Sequence, residues 1–321
     1  MKTWISEYQD LNAILMTIDD PLLVVIAGPT AVGKTNLAIS IARYFNTEIL
    51  SADSRQFYRE MSIGTAVPSD YELSQVPHHF IHQLSVLDDY NVSRFETDAL
   101  ALLESLFQNH RLVCMVGGSG LYINAVCHGI DLLPDPDPEI RRSLKELLRS
   151  SGIEALRREL TLLDPQYADL VDGSNPARLI RALEICMSTG MPCSSLRTHK
   201  PKQRDFKILK VGIELPREEL YQRINGRVDT MMRQGLLDEA LSLFSLRHLQ
   251  ALNTVGYKEL FDHFEGKTTL AQSIEKIKIH SRRYAKRQLT WFKKDLGYTW
   301  FHPDEIKQII TLINSNLPQT G

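Results

Sequence analysis

The sequence lacks the features that mark several broad classes of protein. It contains no apolar run of the roughly 20 residues that a membrane-spanning helix requires. Residues 1–20 have neither the basic start nor the apolar centre of a secretory signal peptide. The four cysteines form no C-x-x-C pair and have no flanking histidine at zinc-ligand spacing, a pattern typical of reduced thiols in a cytosolic protein. We therefore expect a cytoplasmic protein that does not bind a membrane.

Neither sign of charge dominates the chain. The net charge is −2, which excludes a wholly basic nucleic-acid coat but leaves local basic patches open. An apolar share of 43% and a charged share of 24% are ordinary globular values, so a sizeable core is expected. The 321 residues are enough for one large domain or for two.

A glycine-rich loop lies between an apolar run at residues 22–27 and a segment with helical spacing. Its sequence is G-P-T-A-V-G-K-T, and strand, G-x-x-x-x-G-K-T, helix is the order that a phosphate loop requires. Backbone N–H groups of such a loop point at phosphate oxygens, and the start of the helix adds partial positive charge. Lys34 adds a point charge, and the Thr35 hydroxyl is placed to bind a magnesium ion shared with the phosphates. We expect a ligand with at least a diphosphate group, bound by Gly28, Pro29, Thr30, Ala31, Val32, Gly33, Lys34 and Thr35.

Two more loops follow predicted strands. Asp53 follows the strand at residues 47–52, and Ser119 follows the apolar strand at residues 111–116. Because ligands bind outside the carboxyl ends of parallel strands, both residues should face the same crevice as the phosphate loop. The Asp53 carboxylate has two open roles: to bind magnesium or to accept a proton from a nucleophile. With a further strand at residues 206–215, the pattern predicts an α/β fold with a doubly wound parallel sheet of the P-loop NTPase type.

The pattern changes to helices in the middle of the chain. Residues 134–138 alternate proline and aspartate, and residues 139–189 have helical spacing. We interpret residues 129–197 as a helical domain inserted into an α/β core formed by residues 1–128 and 198–321. Arg178 and Arg181 lie three residues apart on one helix face of this domain, which is typical of a binding face and of a solvated one.

A helical segment at residues 220–243 carries Arg223 and Arg227 four residues apart. The two arginines would bind a diphosphate together if they face one, and otherwise they are exposed surface residues.

A basic helix is predicted between Thr269 and Lys294. Thr269 and Gln272 form a capping box, and no acidic residue interrupts residues 276–294. We expect Tyr284 and Trp291 on the apolar face, buried in the core, with the basic face left for the phosphate backbone of a nucleic acid. A membrane-surface helix and a merely solvated face are the alternatives.

Taken together, these motifs resemble the tRNA dimethylallyltransferase family, also called tRNA isopentenyltransferases or IPP transferases. The most specific segments are D-S-R-Q at residues 53–56 and A-K-R-Q-x-T-W at residues 285–291. No Cys/His-rich tail follows residue 300, so the zinc finger of eukaryotic relatives is absent and a bacterial type is implied. One departure is Val67, which stands where a lysine is common. The other matching segments are G-P-T-A-V-G-K-T at 28–35, I-G-T-A at 63–66, P-H-H at 77–79, G-G-S-G-L-Y at 117–122, residues 175–184 and V-G-Y-K-E at 255–259.

The resemblance implies transfer of a five-carbon group from dimethylallyl diphosphate to N6 of the adenine next to the 3′ side of the anticodon, with release of diphosphate. Lys34, a magnesium ion on Thr35 and Arg223 would neutralise the departing diphosphate. Asp53 would hold and deprotonate the N6 amine of a base that has left its stack. The residues implied to contact the anticodon stem-loop are Asp53, Ser54, Arg55, Gln56, Ser119, Arg141, Arg178, Arg181, Tyr257, Arg283 and Arg287.

Other functions remain as alternatives. A small-molecule kinase would use the same loop on ATP but would not need the basic helix. A GTPase is disfavoured because no N-K-x-D motif is present, and a non-catalytic nucleic-acid-binding protein leaves Lys34 and Asp53 unexplained. An adenylate isopentenyltransferase modifies a free nucleotide, whereas the helical insertion and the basic helix favour a polymer acceptor. We expect a monomer.

Overall fold

Six parallel strands form one sheet in a computed structural model that describes residues 21–131, 133–135, 137–198 and 200–317. The expectation for residues 1–20 therefore lies outside the described residues. The strand order is β3-β2-β4-β1-β5-β6. The strands are β1 (Leu22–Ala27), β2 (Ile49–Ser51), β3 (His78–His79), β4 (Leu112–Gly117), β5 (Lys207–Ile213) and β6 (Tyr298–Phe301).

The helices follow in chain order. They are α1 (Lys34–Phe45), α2 (Asp70–Gln75), α3 (Val92–Leu106), α4 (Gly120–His128), α5 (Pro138–Ser151), α6 (Ile153–Leu163), α7 (Pro165–Leu170), α8 (Pro176–Thr189), α9 (Cys193–Leu196), α10 (Arg217–Arg233), α11 (Leu236–Ser242), α12 (Tyr257–Phe264), α13 (Leu270–Phe292) and α14 (Ile306–Asn316).

The central strand β1 explains the layered core. All of its residues are buried, because β4 and β5 flank it and helices cover both faces of the sheet. Leu22, Val24 and Ile26 pack with α1, α10 and α14, whereas the alternate residues pack with α3 and α4. Helices on both faces of a parallel sheet are the doubly wound arrangement that the sequence predicts.

The chain divides into two units. One unit comprises residues 1–127 and 204–321, and the other comprises residues 128–203, with α5 to α9 around a core of its own. The second boundary lies beyond the predicted residue 197 because the basic segment pairs with the start of the insertion. The Lys202 N–H donates to the His128 carbonyl at 2.7 Å, and the Thr198 hydroxyl donates to Asp131.

Several local features differ from the sequence-based expectation. Residues 220–243 form two helices rather than one, because Gly235 adopts a φ of 101° between α10 and α11. The sequence pattern predicts neither the strand β6 nor the helix α14. The capping box at Thr269 and Gln272 is present at the start of α13. All four cysteines are free and buried, and among the described residues no helix has the length and apolarity needed to cross a membrane.

Candidate active site

The phosphate loop joins β1 to α1 and has the backbone that its sequence predicts. Gly33 adopts a φ of 102°, in the left-handed region that favours glycine. At Gly28 an added Cβ would lie 2.5 Å from the Ile213 carbonyl oxygen, so a side chain there would collide with β5. The first turn of α1 has no acidic residue and no side-chain cap. Its positive end is therefore left for an anion.

Lys34 is half-buried at the end of this loop. Its Nζ donates to the Pro29 carbonyl at 2.6 Å. Burial lowers the pKa of Lys34 to about 7; the Asp53 charge opposes this shift and the Arg227 charge adds to it. A bound diphosphate would favour the protonated ammonium, because an opposite charge stabilises the charged form.

Arg227 on α10 lies in the cavity beside Lys34. Its Nη1 donates to the Thr30 hydroxyl at 3.4 Å, and burial lowers the pKa of its guanidinium. Arg223, one turn earlier, is paired with Glu219 at 2.8 Å and is exposed, with its Nη1 close to Gly33. The sequence left open which of the two arginines would meet a diphosphate, and the structure places Arg227 in the cavity.

The two strand-end loops meet as expected. Asp53 lines the cavity, and its Oδ1 accepts from the Arg55 N–H at 3.1 Å. The Ser119 hydroxyl accepts from the Ser54 N–H at 3.0 Å and donates to the Ser54 hydroxyl at 3.1 Å. Ser119 therefore links the loop after β4 to the loop after β2, beside Asp53.

The helix α13 contributes residues that the sequence analysis did not assign to the site. Gln288 accepts from the Thr30 N–H at 2.9 Å and donates to the Gly118 carbonyl at 2.9 Å, so it bridges the two glycine-rich loops. Tyr284, one turn earlier, lines the cavity, and burial, with the Asp53 charge, raises the pKa of its phenol to about 12. The i, i+4 spacing already placed these two residues on one helix face.

The expectation that Tyr284 and Trp291 are core residues is wrong. Tyr284 is 37% exposed because its ring lines the cavity, and Trp291 is 42% exposed. The Trp291 indole packs on the backbone of Gly120, where an added Cβ would lie 2.2 Å from Cδ1. An open site and a glycine, rather than a closed core, face these rings.

Two adjoining cavities meet at Asp53. The narrow cavity, of about 90 Å³, contains Lys34 and Thr35 and has an apolar side that includes Ile49 and Ile81. The wide cleft, of about 640 Å³, is large enough for a small-molecule ligand, and its described lining includes five cationic residues, Arg55, Arg227, Lys258, Arg283 and Arg287. The residues that line both are Thr30, Asp53, Thr65, Arg227 and Tyr284.

Tyr257 does not form part of either lining. The resemblance implies that it contacts tRNA, but its side chain is fully buried and its hydroxyl donates to Glu239 at 2.6 Å. The expectation that Tyr257 contacts RNA directly is therefore wrong, and its side chain acts inside the fold. Gln56, by contrast, lines the narrow cavity, and its amide also donates to the carbonyls of Thr65 and Ala66.

Three of the expected RNA contacts lie in the helical unit. Arg141 makes a two-point contact with the buried Glu184, with Nη2 at 2.9 Å from Oε2. Arg181 donates to the Pro134 carbonyl at 2.6 Å and also approaches Glu184. Arg178 is exposed. Among these three, Arg178 has the guanidinium that is most accessible to a ligand.

The donor set fits a magnesium ion held together with phosphate oxygens. The described part of the chain contains no cluster of three or more His, Cys, Asp or Glu side chains that could hold a metal. Mg²⁺ does not require one, since it is commonly bound by one or two protein oxygens, substrate phosphates and water. Thr35 and Asp53 both line the narrow cavity and supply such oxygens.

Comparison with known proteins gives consistent matches over most of the chain. The family model described as IPP transferase matches residues 56–295. A tRNA dimethylallyltransferase of Christiangramia forsetii is 53% identical over 92% of this chain and 98% of the relative. The tRNA isopentenylpyrophosphate transferase of Bacillus halodurans is 39% identical, with a TM-score of 0.68 over 91% of this chain and 95% of that structure. A eukaryotic dimethylallyltransferase acting on tRNA is 26% identical, with a TM-score of 0.74 over 94% of this chain and 81% of that structure.

Proposed function

The chain belongs to the IPP transferase family, and on that basis we propose that it transfers the dimethylallyl group of dimethylallyl diphosphate to N6 of the adenine 3′-adjacent to the anticodon in tRNA. The observation that carries the proposal is the position of Asp53, where a phosphate-loop cavity opens into a cleft lined by arginines. A carboxylate at that junction can reach an anionic donor and an amine acceptor at once.

The donor side must stabilise a departing diphosphate. In the transfer the C–O bond of the donor breaks as the N6–C bond forms, so negative charge grows on the diphosphate. Lys34, Arg227 and the N–H groups at the start of α1 are placed to bind that charge, with Arg223 beside Gly33. The Thr35 hydroxyl, together with phosphate oxygens, would hold Mg²⁺, which supplies further charge neutralisation when bound.

The acceptor side needs a hydrogen-bond acceptor for the N6 amine. Asp53 would orient the amine and take the proton that nitrogen loses as it bonds to carbon. The Asp53 oxygen is fixed by the Arg55 N–H, so the carboxylate is held in place before the base arrives. A base in the stacked loop cannot reach this depth, and the proposal therefore includes a flipped adenine.

A polymer acceptor explains the cationic cleft better than a free nucleotide does. Arg283 and Arg287 lie four residues apart on α13 and line the cleft with Arg55. Such groups bind phosphates along a backbone. With Arg178 in the helical unit, they would bind the anticodon stem-loop, and the proposal implies a monomer acting in the cytoplasm, where tRNA is found.

The acceptor class can be tested by comparing three acceptors in separate reactions. We would supply radiolabelled dimethylallyl diphosphate with Mg²⁺ and offer unmodified tRNA, an anticodon stem-loop oligonucleotide or AMP as acceptor. The proposal predicts label in both RNAs and none in AMP. Efficient labelling of AMP, with RNA inert, would instead indicate an adenylate isopentenyltransferase, and phosphorylation of a small molecule in a parallel reaction with ATP would indicate a kinase.

A further inference from the structure

One carboxylate holds the backbone of the loop at residues 62–66, which follows β2. Glu239 on α11 accepts from the N–H groups of Ser62 at 3.0 Å and Ile63 at 2.8 Å through Oε2. Its Oε1 accepts from the Gly64 N–H at 2.9 Å. Successive N–H groups that converge in this way form an anion-binding concavity, and here a side chain of the same protein fills it.

A fourth donor comes from Tyr257, whose hydroxyl donates to Glu239 Oε1 at 2.6 Å. Its ring is buried against Gly64, where an added Cβ would lie 2.5 Å from ring atom Cε2. Burial and the Glu239 charge raise the pKa of Tyr257, so the hydroxyl remains a donor. Four donors around two oxygens match an ionised carboxylate, because it has only acceptor sites.

The other side of the 62–66 loop is attached to the Asp53 turn. The Gln56 Nε2 donates to the Thr65 carbonyl at 3.4 Å and to the Ala66 carbonyl at 3.2 Å. The Gln56 Oε1 accepts from the Ser51 hydroxyl at 3.0 Å, and Ser51 is two residues before Asp53. The 62–66 loop is thus hydrogen-bonded to Glu239 on one side and to Gln56, in the turn that contains Asp53, on the other.

This loop is also part of the cavity wall. Thr65 lines both the narrow cavity and the wide cleft, and Ala66 lines the narrow cavity. The helix α11 that carries Glu239 follows α10, which places Arg227 in the same narrow cavity. Glu239 therefore connects the 62–66 loop to α11, the helix that follows the Arg227-bearing α10.

We infer that Glu239 is a positioning residue for group transfer: through the 62–66 loop it fixes the cavity wall at the point where the donor carbon must meet the acceptor amine beside Asp53. The inference rests on the proposed transfer reaction. Donor binding depends on Lys34 and the phosphate loop, which Glu239 does not contact. The alignment of the two reactants depends on the wall, and a displacement of about 1 Å can slow a reaction roughly 100-fold.

The test compares three substitutions in the full chain. Glu239→Gln replaces one acceptor oxygen with a donor that must face other donors, and Tyr257→Phe removes one of the four donors only. Asp238→Asn is the matched control, because it makes the same charge change at the neighbouring exposed position. For each we would measure kcat with saturating tRNA, the Kd of dimethylallyl diphosphate without tRNA, and thermal unfolding.

We expect Glu239→Gln to lower kcat by about 10- to 100-fold while the donor Kd changes less than about twofold. Tyr257→Phe should show a smaller loss of kcat with the same unchanged Kd, and Asp238→Asn should match the wild type. A wild-type kcat in Glu239→Gln would overturn the inference, and so would a parallel loss of donor binding, which a purely structural role predicts. If Glu239→Gln does not fold, Tyr257→Phe decides by the same two criteria. A wild-type protein that transfers nothing to tRNA would refute the proposed function instead.

Discussion

Asp53 and Lys34 face the same narrow cavity, and the proposed reaction assigns them to different reactants. Lys34→Ala removes a positive charge that would stabilise both the bound diphosphate and the transition state. We therefore expect a higher donor Kd and a lower kcat. Asp53→Ala should leave the donor Kd unchanged and lower kcat by about 100-fold or more, the scale of a lost general base. Equilibrium binding of the donor and single-turnover transfer to tRNA measure the two quantities.

The same pair of measurements decides between the two roles that the sequence left open for Asp53. If Asp53→Ala abolished magnesium-dependent donor binding, the carboxylate would be a metal ligand, and its proposed role as proton acceptor would be wrong. The Lys34→Ala variant provides the reference for loss of donor binding.

The two arginines of α10 form a second contrast between neighbouring residues. Arg227 lies in the cavity beside Lys34, whereas Arg223 is exposed and paired with Glu219. Arg227→Gln should lower kcat/KM by about 100-fold, because a charge in an enclosed site stabilises a departing anion strongly. Arg223→Gln should lower it by less than about tenfold, since solvent and salt screen the exposed charge. Steady-state kinetics on both variants would contradict this ranking if Arg223 proved the more costly to replace.

The sequence could assign residues whose roles follow from local order. Lys34, Thr35 and Asp53 lie at fixed positions after predicted strands, and parallel strands bring their carboxyl ends together. The places of Gln288 and Tyr284 in the site, and the choice between Arg227 and Arg223, could not be assigned in that way. They depend on the rotation of α10 and α13 against the sheet, and periodicity shows which residues share a face but not what that face meets.

At the scale of elements, α13 contributes side chains to both the narrow cavity and the wide cleft. Gln288 and Tyr284 reach the phosphate-loop cavity, while Arg283 and Arg287 line the wide cleft. Replacing both arginines with Gln should raise the KM for tRNA and reduce the slope of log affinity against log salt by about two units. Turnover at saturating tRNA should change little, because these contacts bind substrate and transition state alike.

A matched control separates a binding surface from net charge. Lys286 and Lys294 are exposed and do not belong to the described lining of the cleft, so replacing both with Gln removes the same charge elsewhere. We expect this control to keep most of the salt slope. Equal slopes in the two double variants would mean that α13 acts through net charge alone and that tRNA is bound by other residues.

The amphipathic pattern of α13 also shows where element-level reasoning fails. It predicts the basic face, yet it assigns Tyr284 and Trp291 to a core. The Tyr284 ring lines a cavity and the Trp291 ring packs on Gly120. The sequence of one helix does not show whether its aromatic face meets a cavity, a glycine or a closed core. The short strand β6 escapes prediction for a related reason, since four residues carry too little pattern to separate a strand from a loop.

At the scale of the whole molecule, the helical unit is inserted at a single point of the α/β unit. Arg204 donates to the carbonyls of Ala125 and Val126 at 2.8 Å each, so the two ends of the α/β unit lie side by side at the insertion. Replacing residues 128–203 with a short Gly-Ser linker should therefore leave a folded core. All residues of the narrow cavity belong to that core.

We expect the excised core to bind dimethylallyl diphosphate with unchanged Kd. Its transfer to tRNA should fall by about tenfold or more, the scale of losing several phosphate contacts. Donor binding by calorimetry and transfer kinetics give the two results. Unchanged transfer would show that the helical unit does not take part in tRNA recognition and would remove Arg141, Arg178 and Arg181 from the proposed contacts.

In the proposed reaction the phosphate loop binds a leaving group rather than a nucleotide that is turned over. The most direct measurement incubates unmodified tRNA, dimethylallyl diphosphate and Mg²⁺ with the protein and identifies the nucleosides of the digested tRNA by mass spectrometry. We expect an N6-dimethylallyl adenosine beside the anticodon, one diphosphate released per modified base, and no consumption of ATP when ATP is added. Unchanged adenosine, together with ATP-dependent phosphorylation of a small molecule, would contradict the proposed reaction.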